Sequence, residues 1–295
     1  MSSPTSHLRD DPLRGVAYLF AAILGFGALE ATAKHLTASY PIPQIVWARF
    51  TFHLLAMLPF VFAVGFYKVV RTNRLKLQLY RSALQLAATC AMFFGISKIG
   101  LSEATAIVYL SPLVITALSA PMLGERVSLR QWAAVIVGFV GVLIILRPGS
   151  GALHWAAFGL IGTALAYALF QIATRQLGST EHWLTTAIYT PIVGTLGAGL
   201  AVPFVWVPPT PEDWLFFIGL GAFAGLAHLL VIRAFQYAAA SWLAPFNYVH
   251  IIWGTILGYL IFGQLPDIWT VAGGMLVVAS GLYVIIRTTR SRSQD

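Results

Sequence analysis

Charge is scarce in this chain. Only 9% of its 295 residues are Asp, Glu, Lys or Arg, against about 25% in an ordinary soluble domain. Cysteine is scarcer still. Cys90 stands alone, which excludes an intramolecular disulfide framework and any multi-cysteine metal site. It sits in the apolar run "AATCAMFF" and reads as a packing residue. The five aspartates, at 10, 11, 213, 267 and 295, all lie outside the apolar stretches or at their edges. No HExxH, GxSxG or Walker motif occurs. These absences argue against an intramembrane hydrolase or metalloenzyme. No enzyme activity, no cofactor and no metal are expected.

What fills the space is apolar. Hydrophobic residues make up 58% of the chain, and the mean hydropathy is +0.80. No soluble core of this size needs so much apolar surface, so a membrane protein is expected. Ten apolar runs are long enough to span a bilayer as helices, with soft edges at about 13–34, 41–66, 79–97, 102–123, 129–147, 153–175, 183–206, 213–236, 240–262 and 268–287. Short turn-rich loops such as "SYPIP", "RPGSG" and "VPPTPED" join them. The expected fold class is an all-α integral membrane protein. The first run is too long for a signal-peptide core and reads as a retained span, after a solvated arm over residues 1–12.

The 18 basic residues orient the spans. With the N-terminus in the cytoplasm, 14 fall on the inner side: Arg9, Arg14, Lys68, Arg71, Arg74, Lys76, Arg81, Arg126, Arg130, Arg175, Arg233, Arg287, Arg290 and Arg292. Lys34, Lys98 and Arg147 fall outside, and Arg49 lies within a span. This split follows the positive-inside rule. It accounts for the net charge of +8 without a nucleic-acid partner. An even number of spans returns the C-terminus to the cytoplasm.

The chain also repeats itself. "AAILGFGALEATAKHL" (21–36) aligns with "GTALAYALFQIATRQL" (162–177), so that Phe26 meets Tyr167, Glu30 meets Gln171 and Lys34 meets Arg175. "SEATAIVYLSPLVITALSAPMLG" (102–124) aligns with "SWLAPFNYVHIIWGTILGYLIFG" (241–263), so that Tyr109 meets Tyr248 and Thr116 meets Thr255. Five spans per half is an odd number, so the second half is inverted. Inverted repeats recur among secondary transporters, with the substrate site near the midplane.

On these residues the chain resembles a known family. "ATAIVYLSPLVITALSAPMLGERVSLRQWAAVIVGFVGVLIILRP" is similar to the end of the EamA repeat of the drug/metabolite transporter superfamily. "GTALAYALFQIATRQLG" resembles the start of its second repeat, and "WARFTFHLLAMLPF" the second helix of its first. The resemblance covers about residues 13–288, with "LGERVSLRQW" its most specific stretch. It divides the chain into five-helix repeats at 13–147 and 153–288. It implies ten helices, both termini inside, and export of small metabolites by alternating access, with bacterial exporters of amino acids, aromatic ones among them, most alike. Gly263-Gln264 departs from the Gly-Glu often found there, so no carboxylate role carries over to position 264.

The candidate site is drawn from the polar residues inside the spans. Arg49 lies about 12 Å below the outer end near Pro41 at 1.5 Å per residue. It either meets a substrate carboxylate or forms an ion pair with Glu30. Glu30 is the one carboxylate well inside a span; it is a proton-coupling candidate, or is held ionised by Lys34 or Arg49. Gln171, its counterpart, can hydrogen-bond a polar ligand but cannot titrate. His53, one turn inward of Arg49, is a site candidate or a packing residue, as are His228 and His250. His250 sits in the polar and aromatic cluster "NYVHIIW". In the family that the chain resembles, the helices of Tyr109 and Tyr248 line the central cavity. Tyr167 shares a face with Gln171, and Trp253 is mid-span. Most other tryptophans lie near span ends as interfacial anchors. The expected function is an exporter of large neutral amino acids, monomeric in the bacterial inner membrane, with lipid and a small-molecule substrate as its partners. Export of drugs or another metabolite class, lipid scrambling, and a membrane scaffold are the competing readings.

Overall fold

The computed structural model describes residues 11–123, 127–147, 154–178, 180–238 and 243–292. No strand occurs among them; the protein is all-helical. The solvated arm, the "GERV" turn and most of the "RPGSG" loop lie largely outside the described residues.

The helices begin and end where local chemistry dictates. Asp11 caps α1 (Pro12–Leu36) by accepting from Arg14 N, and Pro12 fills the first turn, where a missing N–H costs nothing. Helix α2 (Ile42–Val64) opens after Pro41 and stops at Gly65, whose φ of +106° an L side chain adopts only with strain. A short α3 (Phe66–Val70) follows. Helix α4 (Leu75–Lys98) starts a turn earlier than the apolar run suggests. Helices α5 (Leu101–Val108) and α6 (Ser111–Leu123) are one span broken at Tyr109 and Leu110. Pro112 lacks the N–H that would carry the helix across this break. Ser128 and Gln131 close a capping box on α7 (Leu129–Leu146). Then come α8 (Ala156–Gly178), α9 (Trp183–Gly199) and the single turn α10 (Val202–Val205). Thr210 caps α11 (Pro211–Tyr237), with Glu212 and Asp213 in its first turn. A 3-10 turn (Ala244–Tyr248) leads into α12 (Val249–Phe262), and α13 (Ile268–Arg292) ends the described chain.

Among the described residues, eight stretches are long and apolar enough to cross a membrane: those of α1, α2, α4, the α5–α6 pair, α7, α8, α11 and α13. The two other expected spans are shorter. Helix α9 has 17 residues and breaks after Gly199, before the Pro203 turn. The apolar stretch Phe246–Phe262 is also short; its first turn is 3-10, and residues 239–242 ahead of it lie outside the described residues.

Helix α1 packs on α11, and α8 on α4. Helix α2 packs on α11, and α9 on α4. Helix α12 packs on α1, and α6 on α8. Helices α2 and α9 face each other, as do α7 and α13. At the last crossing Gly141 and Gly273 oppose backbone to backbone. A Cβ on either would collide with the other's carbonyl oxygen.

Polar ties close the connections that the sequence places outside. Gln44 Nε2 donates to Val207 O at 2.8 Å, and Val207 N donates back to Gln44 Oε1 at 2.9 Å. Tyr40 Oη donates to Asp213 Oδ2 at 2.6 Å. Arg147 pairs with Asp267 at 2.6 Å. Burial pushes the Asp267 carboxyl up, but hydrogen bonds from Thr270 and the Arg147 charge outweigh it and hold it below the usual carboxylate range. On the side that the sequence places inside, Asn73 N donates to Glu181 Oε1, and Tyr189 Oη to Val70 O.

Candidate functional site

The residues singled out in the sequence come from six segments. Glu30 is on α1, Arg49 and His53 on α2, and Tyr109 at the α5–α6 break. Tyr167 and Gln171 are on α8. Tyr248 ends the 3-10 turn, and His250 and Trp253 are on α12. Tyr109 and Tyr248 thus both sit where a helix is interrupted. Interrupted helices are where spanning proteins form polar sites, because freed backbone groups can face a cavity.

The chain brings most of these together. The rings of Tyr109 and Tyr248 lie 5.5 Å apart. His250 Nδ1 is 3.2 Å from Tyr109 Oη, and His250 Nε2 is 3.4 Å from Glu30 Oε2. Tyr167 is within Coulombic range of Tyr109, and its hydroxyl accepts from Gln171 Nε2 at 3.2 Å. Trp253 packs against Gly27, where any side chain would strike the indole. Its Nε1 has no hydrogen-bond partner, and neither has the Tyr248 hydroxyl, which is pressed against Gly281.

The expected ion pairs of Glu30 are not those found. Lys34 turns away from it and donates to Ile96 O at 2.7 Å and Ile99 O at 2.8 Å, where the end of α4 leaves carbonyls unpaired. Arg49 is 6% exposed and forms no ion pair among the described residues. Glu30 and Cys90 are within its Coulombic range, but its Nε and Nη1 have no hydrogen-bond partner among the described residues. Its guanidinium rests on the Phe50 ring, 4.4 Å from the centroid. Glu30 keeps 14% of its side-chain surface open, and its Oε2 has no hydrogen bond either. The buried Arg49 and the half-buried Glu30 are therefore each short of a hydrogen bond among the described residues, and His250 Nε2 is the group that faces the carboxylate.

His53 is buried with both ring nitrogens unpartnered. It lies 5.1 Å from the His228 ring, and His228 Nδ1 lies 2.8 Å from Ala224 O. The two form an imidazole layer inward of Arg49.

One residue was misplaced by its surroundings in the sequence. Arg81 reads as one more inner-side charge in "RTNRLKLQLYR". Instead it is 6% exposed, because α4 turns this face onto α8 and α9. Its Nε donates to Thr174 Oγ1 at 2.6 Å. Its Nη1 donates to Thr190 Oγ1 at 2.7 Å and to Thr186 O at 2.9 Å. The Phe170 ring lies 4.2 Å from the guanidinium carbon.

The arrangement gathers aromatic rings with a few polar groups among them. Comparisons with known proteins agree on the kind of protein. The model of the EamA-like transporter family matches residues 13–147 and again 154–287. An S-adenosylmethionine uptake transporter of Rickettsia bellii is 24% identical over 95% of this chain and 96% of its own. A riboflavin transporter of Vibrio cholerae is 24% identical over 98% of each. The pseudopaline exporter CntI of Pseudomonas aeruginosa is 27% identical over 90% of this chain and 94% of its own. A solved crystal structure matches 95% of this chain and 99% of its own with a TM-score of 0.65 at 18% identity, which shows the fold. With two family matches filling nearly its whole length, the chain belongs to the EamA-like transporter family and is a multi-pass membrane transporter, not an enzyme.

Proposed function

We propose that this transporter exports small zwitterionic metabolites across the bacterial inner membrane by alternating access. Amino acids with large apolar side chains are the leading substrates. The carrying observation is the pair Arg49 and Glu30, opposite in charge, within Coulombic range of each other, and each short of a hydrogen-bond partner among the described residues. A zwitterion supplies both. Its carboxylate meets the Arg49 guanidinium, and its ammonium meets Glu30 with Gln171 nearby on α8. Tyr109, Tyr167, Tyr248 and Trp253 offer an apolar wall to the rest of the molecule. S-adenosylmethionine, named for one of the relatives, itself ends in an α-amino acid group.

The alternating-access reading takes the chain as ten spans in two inverted halves, 13–147 and 153–288, with both termini in the cytoplasm. The packing supports it. Exchanging α1 with α8, α2 with α9, α4 with α11, α6 with α12 and α7 with α13 carries the α1–α11 contact onto α8–α4, α2–α11 onto α9–α4 and α1–α12 onto α8–α6, and α2–α9 and α7–α13 each onto themselves. The polar ties support the sidedness, since each joins connections assigned to one face.

The test is flux through the purified protein in liposomes loaded with labelled Phe, Trp, Met, Leu, Thr, S-adenosylmethionine or riboflavin. Movement of a large neutral amino acid is expected. Movement of none of the amino acids, together with transport of a sugar or an unrelated cation, sinks the reading. Riboflavin alone would keep the aromatic wall and remove the zwitterion.

A further inference from the structure

We propose that Glu30 and His250 form a one-proton site that couples transport to the proton gradient, with the proton and the substrate ammonium competing for the Glu30 carboxylate. This rests on the zwitterion reading above and adds to it the coupling ion and the sign of the exchange.

The geometry is that of a clamped imidazole. His250 Nε2 faces Glu30 Oε2 at 3.4 Å, and neither atom has another partner. On the other side of the ring, Nδ1 faces Tyr109 Oη at 3.2 Å. When Tyr109 donates to Nδ1, the ring hydrogen sits on Nε2 and points at the carboxylate. An added proton then has two adjacent places to rest, the carboxyl of Glu30 or the imidazole of His250. Either keeps the pair satisfied.

The surrounding charges decide what that proton does. Arg49 and His53 face the cluster from α2, Cys90 from α4, Tyr109 from the α5–α6 break, Tyr167 from α8, His228 from α11 and Tyr248 from the 3-10 turn. Lys34 is turned away to the end of α4. Among the described residues Arg49 is thus the one permanent charge beside the pair. Glu30 can be neutralised by a proton or by an ammonium group, but not by both at once. Exclusive occupancy of one carboxylate is the condition for exchange. When the ammonium arrives, the O–H bond of Glu30 breaks and the proton leaves to water on the side the site then faces. No other bond changes. Each cycle moves one zwitterion one way and one proton the other, so a net positive charge crosses against the substrate.

The two partners also come from different halves of the chain, α1 and α12. A rearrangement of one half against the other changes the 3.4 Å contact directly, so proton affinity and conformation are linked.

Infrared pH-difference spectra of the purified full-length protein test the site without any substrate. A carboxyl band that titrates apart from the exposed carboxylates is expected. Glu30→Gln should remove it, and His250→Asn should shift its midpoint by at least a tenfold change in proton concentration. A spectrum unchanged by Glu30→Gln overturns the proposal, and so does a midpoint unmoved by His250→Asn. Phenylalanine added to weakly buffered protein tests the competition. Release of about one proton per phenylalanine bound supports it, and binding without release overturns it. Absence of phenylalanine binding removes the competition together with the substrate reading, while the infrared result still decides the proton site.

Discussion

Arg49 and Arg81 are equally buried, and the protein treats them in opposite ways. Arg81 is surrounded. Three oxygens from two helices accept from it, and an aromatic ring covers its face. Arg49 is stranded. Its nearest chemistry is a phenyl face, a thiol within Coulombic range and a carboxylate that does not reach it. A guanidinium in an apolar span costs about 2.5–3.5 kcal/mol on insertion scales. At Arg81 that cost is offset inside the fold. At Arg49 it is not, and that difference is why the proposed substrate carboxylate is placed at Arg49 and not at Arg81.

The largest effect expected on this contrast is on transport. Arg49→Gln should lower phenylalanine flux in liposomes by about 30-fold, the worth of a hydrogen-bonded contact to a charged group. The same protein should unfold in detergent at an equal or higher temperature, because a stranded charge has been removed. A drop in unfolding temperature would place Arg49 with Arg81. Next, Arg81→Met should cost about 2 kcal/mol of stability through its lost charge-assisted hydrogen bonds. Flux per folded molecule should stay within about threefold, since none of its partners belongs to the zwitterion site. A smaller loss of about 1 kcal/mol is expected for Thr190→Val, read as unfolding temperature, with Thr174→Val alike. Smallest is the coupling of Glu30 and Arg49. In a double-mutant cycle of Glu30→Gln and Arg49→Gln, the stabilities should depart from additivity by on the order of 0.5 kcal/mol, as for charges that sense each other without touching. A coupling several times larger would mean that the two form an ion pair in the membrane.

Much of this site is legible in the sequence, and for one reason. A polar residue amid twenty apolar ones stands out, so Glu30, Arg49, His250 and the tyrosines can be picked by eye. Their partners cannot. His250 is 220 residues from Glu30, and only the fold brings them to 3.4 Å. Lys34, one turn along α1, is the closer candidate in the chain, yet the open carbonyls at the end of α4 take it. Arg81 hides for the opposite reason. It follows Arg71, Arg74 and Lys76, and among neighbours of its own kind a buried cation looks like a solvated one. The threonines that hold it, at 174, 186 and 190, carry no signal at all, because a hydroxyl on a spanning helix usually bonds its own backbone. The spans themselves follow from hydropathy, whereas the ends of α9 and α12 do not. There a break after Gly199 and a 3-10 turn ahead of Val249 shorten the helix within a run that remains apolar.

Gly141 and Gly273 bear on how such a protein can be altered. Each leaves the space that the other's carbonyl occupies, on two helices that carry none of the site residues. In a saturation library these two positions should be emptied of every larger residue as thoroughly as any in the transport pathway. The apolar wall around Trp253 should tolerate far more exchange, because a new ligand can be accommodated while a displaced backbone cannot. A search for the binding residues by intolerance to substitution would therefore be drawn first to a place where no ligand ever goes.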